Sequence, residues 1–261
     1  MTRLVTRVFE TVVPPLVLLV VAVGVWEAYI AWYNVKPYLL PTPRAVAMAL
    51  VTKAPQLTHA VLFTGAAAGL GFLASLVVGT LVAFVFSQSR WIRAAGYPYA
   101  IFLQTVPIVA IAPLIIRWFG NGFQSVVVVA FILSLFPILA NATAGLTSLN
   151  HDLADLFRLY NASRWQTLLK LRLPSAVPSI ITGARTASGL AVVGAIVGEF
   201  FAGYGTKRYG LGFLMQVTID QLQTDYLFAT VMVSTLFGVG IFTLVNLAGG
   251  AILQRWYDLP R

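Results

Sequence analysis

The sequence contains no cysteine. Disulfide frameworks and thiolate metal sites are therefore excluded, and thiols give no reading of the compartment. Histidine is nearly absent too. His59 and His151 stand far apart, with no neighbours at metal-ligand or catalytic spacing. Asp, Glu, Lys and Arg make up only 10% of the chain, against about 25% in an ordinary soluble protein. The signatures of phosphate binding and hydrolysis are also missing. No G-x-x-x-x-G-K-[ST] loop occurs, since Gly205-Thr206-Lys207 lacks its spacing, and neither H-E-x-x-H, a nucleophile elbow nor a kinase signature is present. The expectation is a chain that is not an enzyme, binds no metal or cofactor and has no ATP site of its own.

What is present is apolar. Hydrophobic residues make up 59% of the 261, and the mean hydropathy is +0.86. A soluble chain of this length buries a core with far less, so the sequence reads as an all-α membrane protein with six transmembrane helices. The net charge of +9 then points to a cytoplasmic surface facing anionic lipid, with no nucleic-acid partner.

Residues 11–31 form the first span, too long for a signal peptide and without its cleavage site. Trp26, Tyr29, Trp32 and Tyr33 follow as an interfacial aromatic belt. A Pro-rich stretch encloses a short interfacial helix over 44–53. The second span, 57–88, carries Gly65-x-x-x-Gly69, either a close helix contact or the ordinary glycine of membrane helices. Residues 89–96 read as a loop with Arg90 and Arg93. The third span, 97–119, holds Pro98, Pro107 and Pro113, and the unpaired carbonyls they leave are tolerated only against protein or a water-filled cavity. Gln104 and Thr105 are therefore candidates for pathway-lining surface. Asn141, beyond Pro137 in the fourth span (125–148), is another.

The fifth span, 174–202, contains Arg185 and Glu199. A charge at membrane depth costs roughly 2.5–3.5 kcal/mol on insertion scales, so both are expected to face the protein interior. About 21 Å separates them along a helix, on nearly the same face. Gly189, Gly194 and Gly198 line a neighbouring stripe suited to close packing against other helices or a twin subunit. A polar segment, 203–225, precedes the sixth span (226–256) and a short tail (258–261).

The longest polar interruption is 150–174, with Arg158, Arg164, Lys170 and Arg172. Leu153, Leu156, Phe157 and Tyr160 recur at i, i+3, i+4 and i+7, on one face of a helix. Asp152 and Asp155 suit its first turn, and Asn150 or Asp152 can cap it. Asn161 stands where that helix ends, being tolerant of left-handed backbone. A second helix is expected from 163 to 173, with Pro174 opening the next segment. Such a loop is either a linker lying on lipid headgroups or a docking peg for a soluble partner.

This stretch resembles the cytoplasmic loop of binding-protein-dependent ABC importer permeases, whose motif runs Glu-Ala-Ala, three residues, Gly, nine residues, Ile-x-Leu-Pro. Asp155-Leu156-Phe157 stands at the first three positions, Asn161 at the Gly, and Leu171-Arg172-Leu173-Pro174 at the close. Asn161-Ala162-Ser163 with Gln166 looks like the family's Gly-Ala-Ser-x-x-Gln run. Asp for Glu and Asn for Gly keep the physical roles, whereas Leu-Phe makes a bulkier peg. Leu40-Pro41-Thr42-Pro43 and Tyr209-Gly210-Leu211-Gly212 are similar to turns in the same family.

The resemblance implies a type I importer permease fold. Its core permease domain would be 57–261, with docking loop 150–174, preceded by an N-terminal segment 1–56 holding the first span. It also implies a second permease copy, two cytoplasmic ATPase subunits carrying ATP and Mg, and an extracytoplasmic binding protein, in the bacterial inner membrane. The ATPase-docking residues would be Leu153, Asp155, Leu156, Phe157, Tyr160, Asn161, Ala162 and Ser163. Val197-Gly198-Glu199-Phe200 points to the branch importing nitrate, sulfonate, taurine or bicarbonate, which also contains importers of thiamine-pyrimidine precursors and riboflavin. Arg185 would then meet an anionic solute or tie the fifth span in place, and Glu199 would be structural or gating. With both termini inside, ten basic residues lie inside and six outside, agreeing with the family's topology. The rival class, an ion-coupled transporter, would show an internal repeat with paired broken helices, and none is found.

Overall fold

The computed structural model describes residues 2–148, 151–202 and 209–256. The alternative cap Asn150, the basic residues Lys207, Arg208 and Arg261, and the tail lie outside them. The helices in chain order are α1 (Thr2–Tyr33), α2 (Pro43–Thr52), α3 (Ala54–Gln88), α4 (Arg90–Thr105), α5 (Ile108–Phe119), α6 (Phe123–Thr147), α7 (His151–Leu159), α8 (Arg164–Thr167), α9 (Leu173–Ala202), α10 (Leu211–Asp220) and α11 (Thr224–Trp256). Among the described residues there is no strand. Among the described residues five helices are long and apolar enough to cross a membrane, and the count is six with the bent pair α4–α5 taken as one broken span.

The chain divides into two compact units. One comprises Met1–Thr58 and Leu214–Val233. Here the Thr42 hydroxyl accepts from Ala45 N–H to cap α2, and Trp26 packs on Phe228 with ring centroids 5.8 Å apart. The Thr224 hydroxyl donates to the Tyr38 carbonyl (2.7 Å).

The other unit comprises His59–Phe213 and Ser234–Arg261, and its centre is the antiparallel pair α6 and α9. Small residues set how closely these helices approach. A Cβ on Gly145 would meet Ser179 and Ala176, and one on Gly183 would meet Pro137 and Asn141. Gly194 and Gly198 lie in the same way against Ala130 and Val126. One register thus runs the length of the seam, which is the packing expected where small side chains let backbones touch. The glycine stripe of the fifth span is covered by α6 of the same chain, except Gly189, which faces open space. The second span behaves differently from its sequence pattern. Gly65 meets the Phe237 ring and Gly69 meets nothing, while Gly71 and Gly79 carry the close contacts, with Ala130 and Ile138.

Three expectations are corrected. Residues 89–96 are not a loop: the Ser89 hydroxyl caps α4 by accepting from Trp91 N–H, and Arg90 and Arg93 lie inside the helix, where long basic side chains extend to the surface. The third span is not one helix but two, bent by 98° at Val106 and Pro107. Pro107 forces Val106 into extended backbone (ψ 124°), while Pro98 and Pro113 sit within helices without breaking them. The segment read as polar after the fifth span contains α10, a short apolar helix between charged flanks.

Candidate functional site

The docking segment is built from two helix-end devices. At the end of α7, Asn161 takes φ 49°. Asn161 N–H donates to Arg158 O (2.9 Å) and Ala162 N–H to Phe157 O (3.0 Å), the paired bonds of a Schellman turn. Two residues on, the Ser163 hydroxyl accepts from Gln166 N–H while the Gln166 side chain accepts from Ser163 N–H, a capping box that starts α8. In the sequence, Ser163 and Gln166 stand out only as part of the family's Gly-Ala-Ser-x-x-Gln run, although their spacing is the signature of a capping box.

From Arg164 the helix does not stop at Pro174. It passes through a π-helical turn, Leu168–Arg172, into α9. Pro174 lacks an N–H and its ring crowds the preceding turn. The wider turn, closed by Leu173 N–H donating to Leu168 O, accommodates this without a break. The expected end at 173 is therefore replaced by a single helix of 39 residues, Arg164–Ala202, roughly 58 Å long. Arg172 fixes it to α3 by donating to the Ser87 carbonyl (2.8 Å), and Trp165 lies against Phe84 with centroids 5.9 Å apart.

The apolar residues of α7 do not share one environment. Leu153 and Leu156 are each nearly half exposed, and Leu159 and Tyr160 about four-fifths exposed. Phe157 is partly buried and lines a cavity of about 360 Å3 with Gln88, Ala154 and the three arginines 158, 164 and 172. Asp155 pairs with Arg158 at 3.2 Å, both side chains exposed. Asn161 and Ser163 are exposed and Ala162 is partly buried. Leu159, absent from the heptad-like pattern read from sequence, widens the exposed apolar face.

The five pathway candidates are not brought together. Gln104 and Thr105 are exposed at the end of α4, and the Thr105 hydroxyl donates to Phe102 O (2.9 Å). The Asn141 amide donates to the Pro137 carbonyl in its own helix (2.8 Å). Arg185 is half-buried beside Gly249 of α11, and its Nε has no hydrogen-bond partner.

Glu199 is 1% exposed and enclosed in a knot. Its Oε2 accepts from Thr64 Oγ1 (3.0 Å) and from Gly212 N–H (2.8 Å), while Thr64 Oγ1 accepts from Leu211 N–H (2.9 Å). Two orphan N–H groups at the start of α10 are satisfied this way. A Cβ on Gly210 would strike the Glu199 carboxyl, and one on Gly212 would strike the Ile196 carbonyl oxygen. The Gly-Leu-Gly turn therefore has these glycines because a buried carboxyl and a backbone carbonyl occupy the space of their side chains. Thr64 was missed from sequence, because nothing local to it marks a partner 135 positions away.

Residues 75–258 match the family described as binding-protein-dependent transport system inner membrane component. The chain belongs to this family, the permease subunits of ABC importers. Over 92% of its length the permease is 33% identical to the formylaminopyrimidine transport permease ThiX of Halalkalibacterium halodurans, covering 94% of that protein. It is 30% identical to the taurine transport permease TauC of Escherichia coli, across 91% of this chain and 86% of TauC. Its fold is similar to a chain of the MetNI methionine ABC transporter in an inward-facing conformation, with TM-score 0.63, 18% identity, and coverage of 77% of this chain and 95% of that one. The permease is thus an inner-membrane transport component, and its type I fold is that expected from the docking motif.

Proposed function

We propose that two copies of this permease form the pathway of an ATP-driven importer for a small anionic solute such as a sulfonate, taurine, nitrate or bicarbonate. Both termini and the 150–174 segment face the cytoplasm. An extracytoplasmic binding protein delivers the solute, and two cytoplasmic ATPase subunits bind ATP and Mg. The observation that carries the proposal is the exposed face Leu153, Leu156, Leu159 and Tyr160, set beside a helix that continues unbroken from Arg164 into the membrane. A groove on the ATPase receives that face, and its displacement on ATP binding passes along the stiff helix to the span that carries Arg185. The charge of Arg185, whose buried Nε has no hydrogen-bond partner, supports a negatively charged solute. A second reading, import of a neutral pyrimidine precursor, is supported by the likeness to ThiX. Binding of candidate solutes to the cognate binding protein separates the two.

The docking reading is tested by Leu156→Asp with Leu159→Asp. Burial of each leucine contributes about 1.5–3 kcal/mol, so copurification of the ATPase and uptake should fall roughly a hundredfold or more, with the permease still in the membrane. Normal ATPase association in that variant would overturn the docking role. Phe157→Asp should act differently, disordering the loop through the chain's own cavity.

A further inference from the structure

Beside the docking segment lies a slot that transport leaves unexplained. Its cavity of about 500 Å3 runs between α4 and α6. On α4 it is lined by Arg90, Arg93 and Tyr97, and on α6 by Ala140, Thr143, Ala144 and Thr147. Both sets follow the i, i+3, i+7 spacing of one helix face. Small residues on α6 make the room, and long cationic ones on α4 stand at the mouth. Neither guanidinium has a hydrogen-bond or ion-pair partner among the described residues, and no acidic residue lines the slot. Thr143 is 4% exposed, and its hydroxyl has no hydrogen-bond partner. The α4 wall thus offers two guanidiniums and a phenol and the α6 wall a buried hydroxyl, all donors.

The location narrows the occupant. The mouth is where α4 begins and α6 ends, just past Ser87, whose carbonyl holds Arg172 of the docking segment. Trp91, 87% exposed, stands next to Arg90 at the start of α4, as aromatic residues do at headgroup level. Basic pockets between membrane helices on the cytoplasmic side are suited to anionic headgroups. We propose that the slot binds an anionic phospholipid of the inner leaflet, its phosphodiester between Arg90 and Arg93 and its glycerol ester region against Tyr97 and Thr143. Only the choice of leaflet rests on the proposed function. The slot chemistry does not.

The test uses the purified full-length permease in detergent, offered equal amounts of phosphatidylglycerol and phosphatidylcholine, with retained lipid read by native mass spectrometry. Wild type should retain phosphatidylglycerol selectively. Arg90→Gln with Arg93→Gln should lower that retention about thirtyfold, the loss expected for two basic residues at an anionic surface. Lysine at both positions should restore most of it, and Thr143→Val should weaken it without changing the preference for charge. If the double variant does not fold, the exposed single change Arg90→Gln carries the test, with a loss of about fivefold. Equal retention by wild type and variant would overturn the proposal. So would displacement of the lipid by inorganic phosphate at comparable concentration, which would make the slot a small-anion site. No ATPase is needed, so failure here and failure of the docking reading are separate results.

Discussion

Helix α9 carries two ionisable side chains, Glu199 and Arg185, and the protein treats them in opposite ways. Glu199 is enclosed by its own chain: Thr64 and Gly212 both donate to Oε2, Oε1 has no hydrogen-bond partner, and Gly210 leaves room for the carboxyl. Arg185 lies beside Gly249, and its buried Nε has no hydrogen-bond partner. Both would be costly inside a membrane, and each keeps one buried atom without a partner, Glu199 Oε1 and Arg185 Nε, but only Glu199 also accepts two hydrogen bonds from its own chain. The difference teaches how to sort intramembrane charges. A group tied by hydrogen bonds to two other parts of its own chain holds the fold, whereas a cation without such ties is the one whose removal the fold should tolerate.

The strongest way to break the comparison is to remove the enclosed member. Glu199→Ala would strand the Gly212 N–H, leave Thr64 without its acceptor and open a cavity, at a cost of roughly 3–5 kcal/mol. The expected result is a sharp fall in the unfolding midpoint in detergent and little permease in the membrane. Gly212→Ala should be comparably damaging, because the obstacle is the Ile196 backbone carbonyl and not a movable side chain. Folded, active protein from either variant would show that the knot is dispensable.

Arg185→Gln should do the reverse. Loss of an unsatisfied buried cation leaves the unfolding midpoint unchanged or raised, whereas uptake of a charged solute should fall roughly tenfold or more, as for a lost hydrogen bond to a charged group. Uptake assays in vesicles, with stability measured in parallel, separate the two effects. Unchanged uptake would move Arg185 into the same structural class as Glu199.

The membrane spans were legible because an uninterrupted apolar run of about 20 residues matches the thickness of a bilayer's hydrocarbon core and exceeds what a soluble core helix needs. The end of α7 was legible from Asn161, since Asn tolerates left-handed backbone at low cost. The same turn closes α10 at Leu222, with φ 56° and the same pair of bonds, Leu222 N–H to Ile219 O and Gln223 N–H to Thr218 O. Leucine gives no sign of it. Pro174 misled in the opposite sense, because a π turn lets the helix run past a residue that normally marks an end. Arg90 and Arg93 suggested a loop by their charge, although their aliphatic stems sit well on a helix at the interface. For the site, the docking motif was readable as a spacing, whereas the inward face of Phe157 and the Glu199 knot depend on residues brought together from distant helices.

The smallest effect sharpens the comparison most. Thr64 is fully buried and relays one hydrogen bond into the next, from Leu211 N–H to its hydroxyl and from its hydroxyl to Glu199. Thr64→Val keeps the shape and removes the relay, stranding the Leu211 N–H, and should cost about 1–3 kcal/mol. Thr64→Ser keeps the relay and loses one methyl, at about 1 kcal/mol or less. If hydrogen bonding is what neutralises the cost of burying Glu199, Ser should lie near wild type in thermal unfolding and Val well below it. Equal midpoints for the two would mean that packing, and not the relay, holds Glu199, and the distinction drawn from Arg185 would then lose its basis.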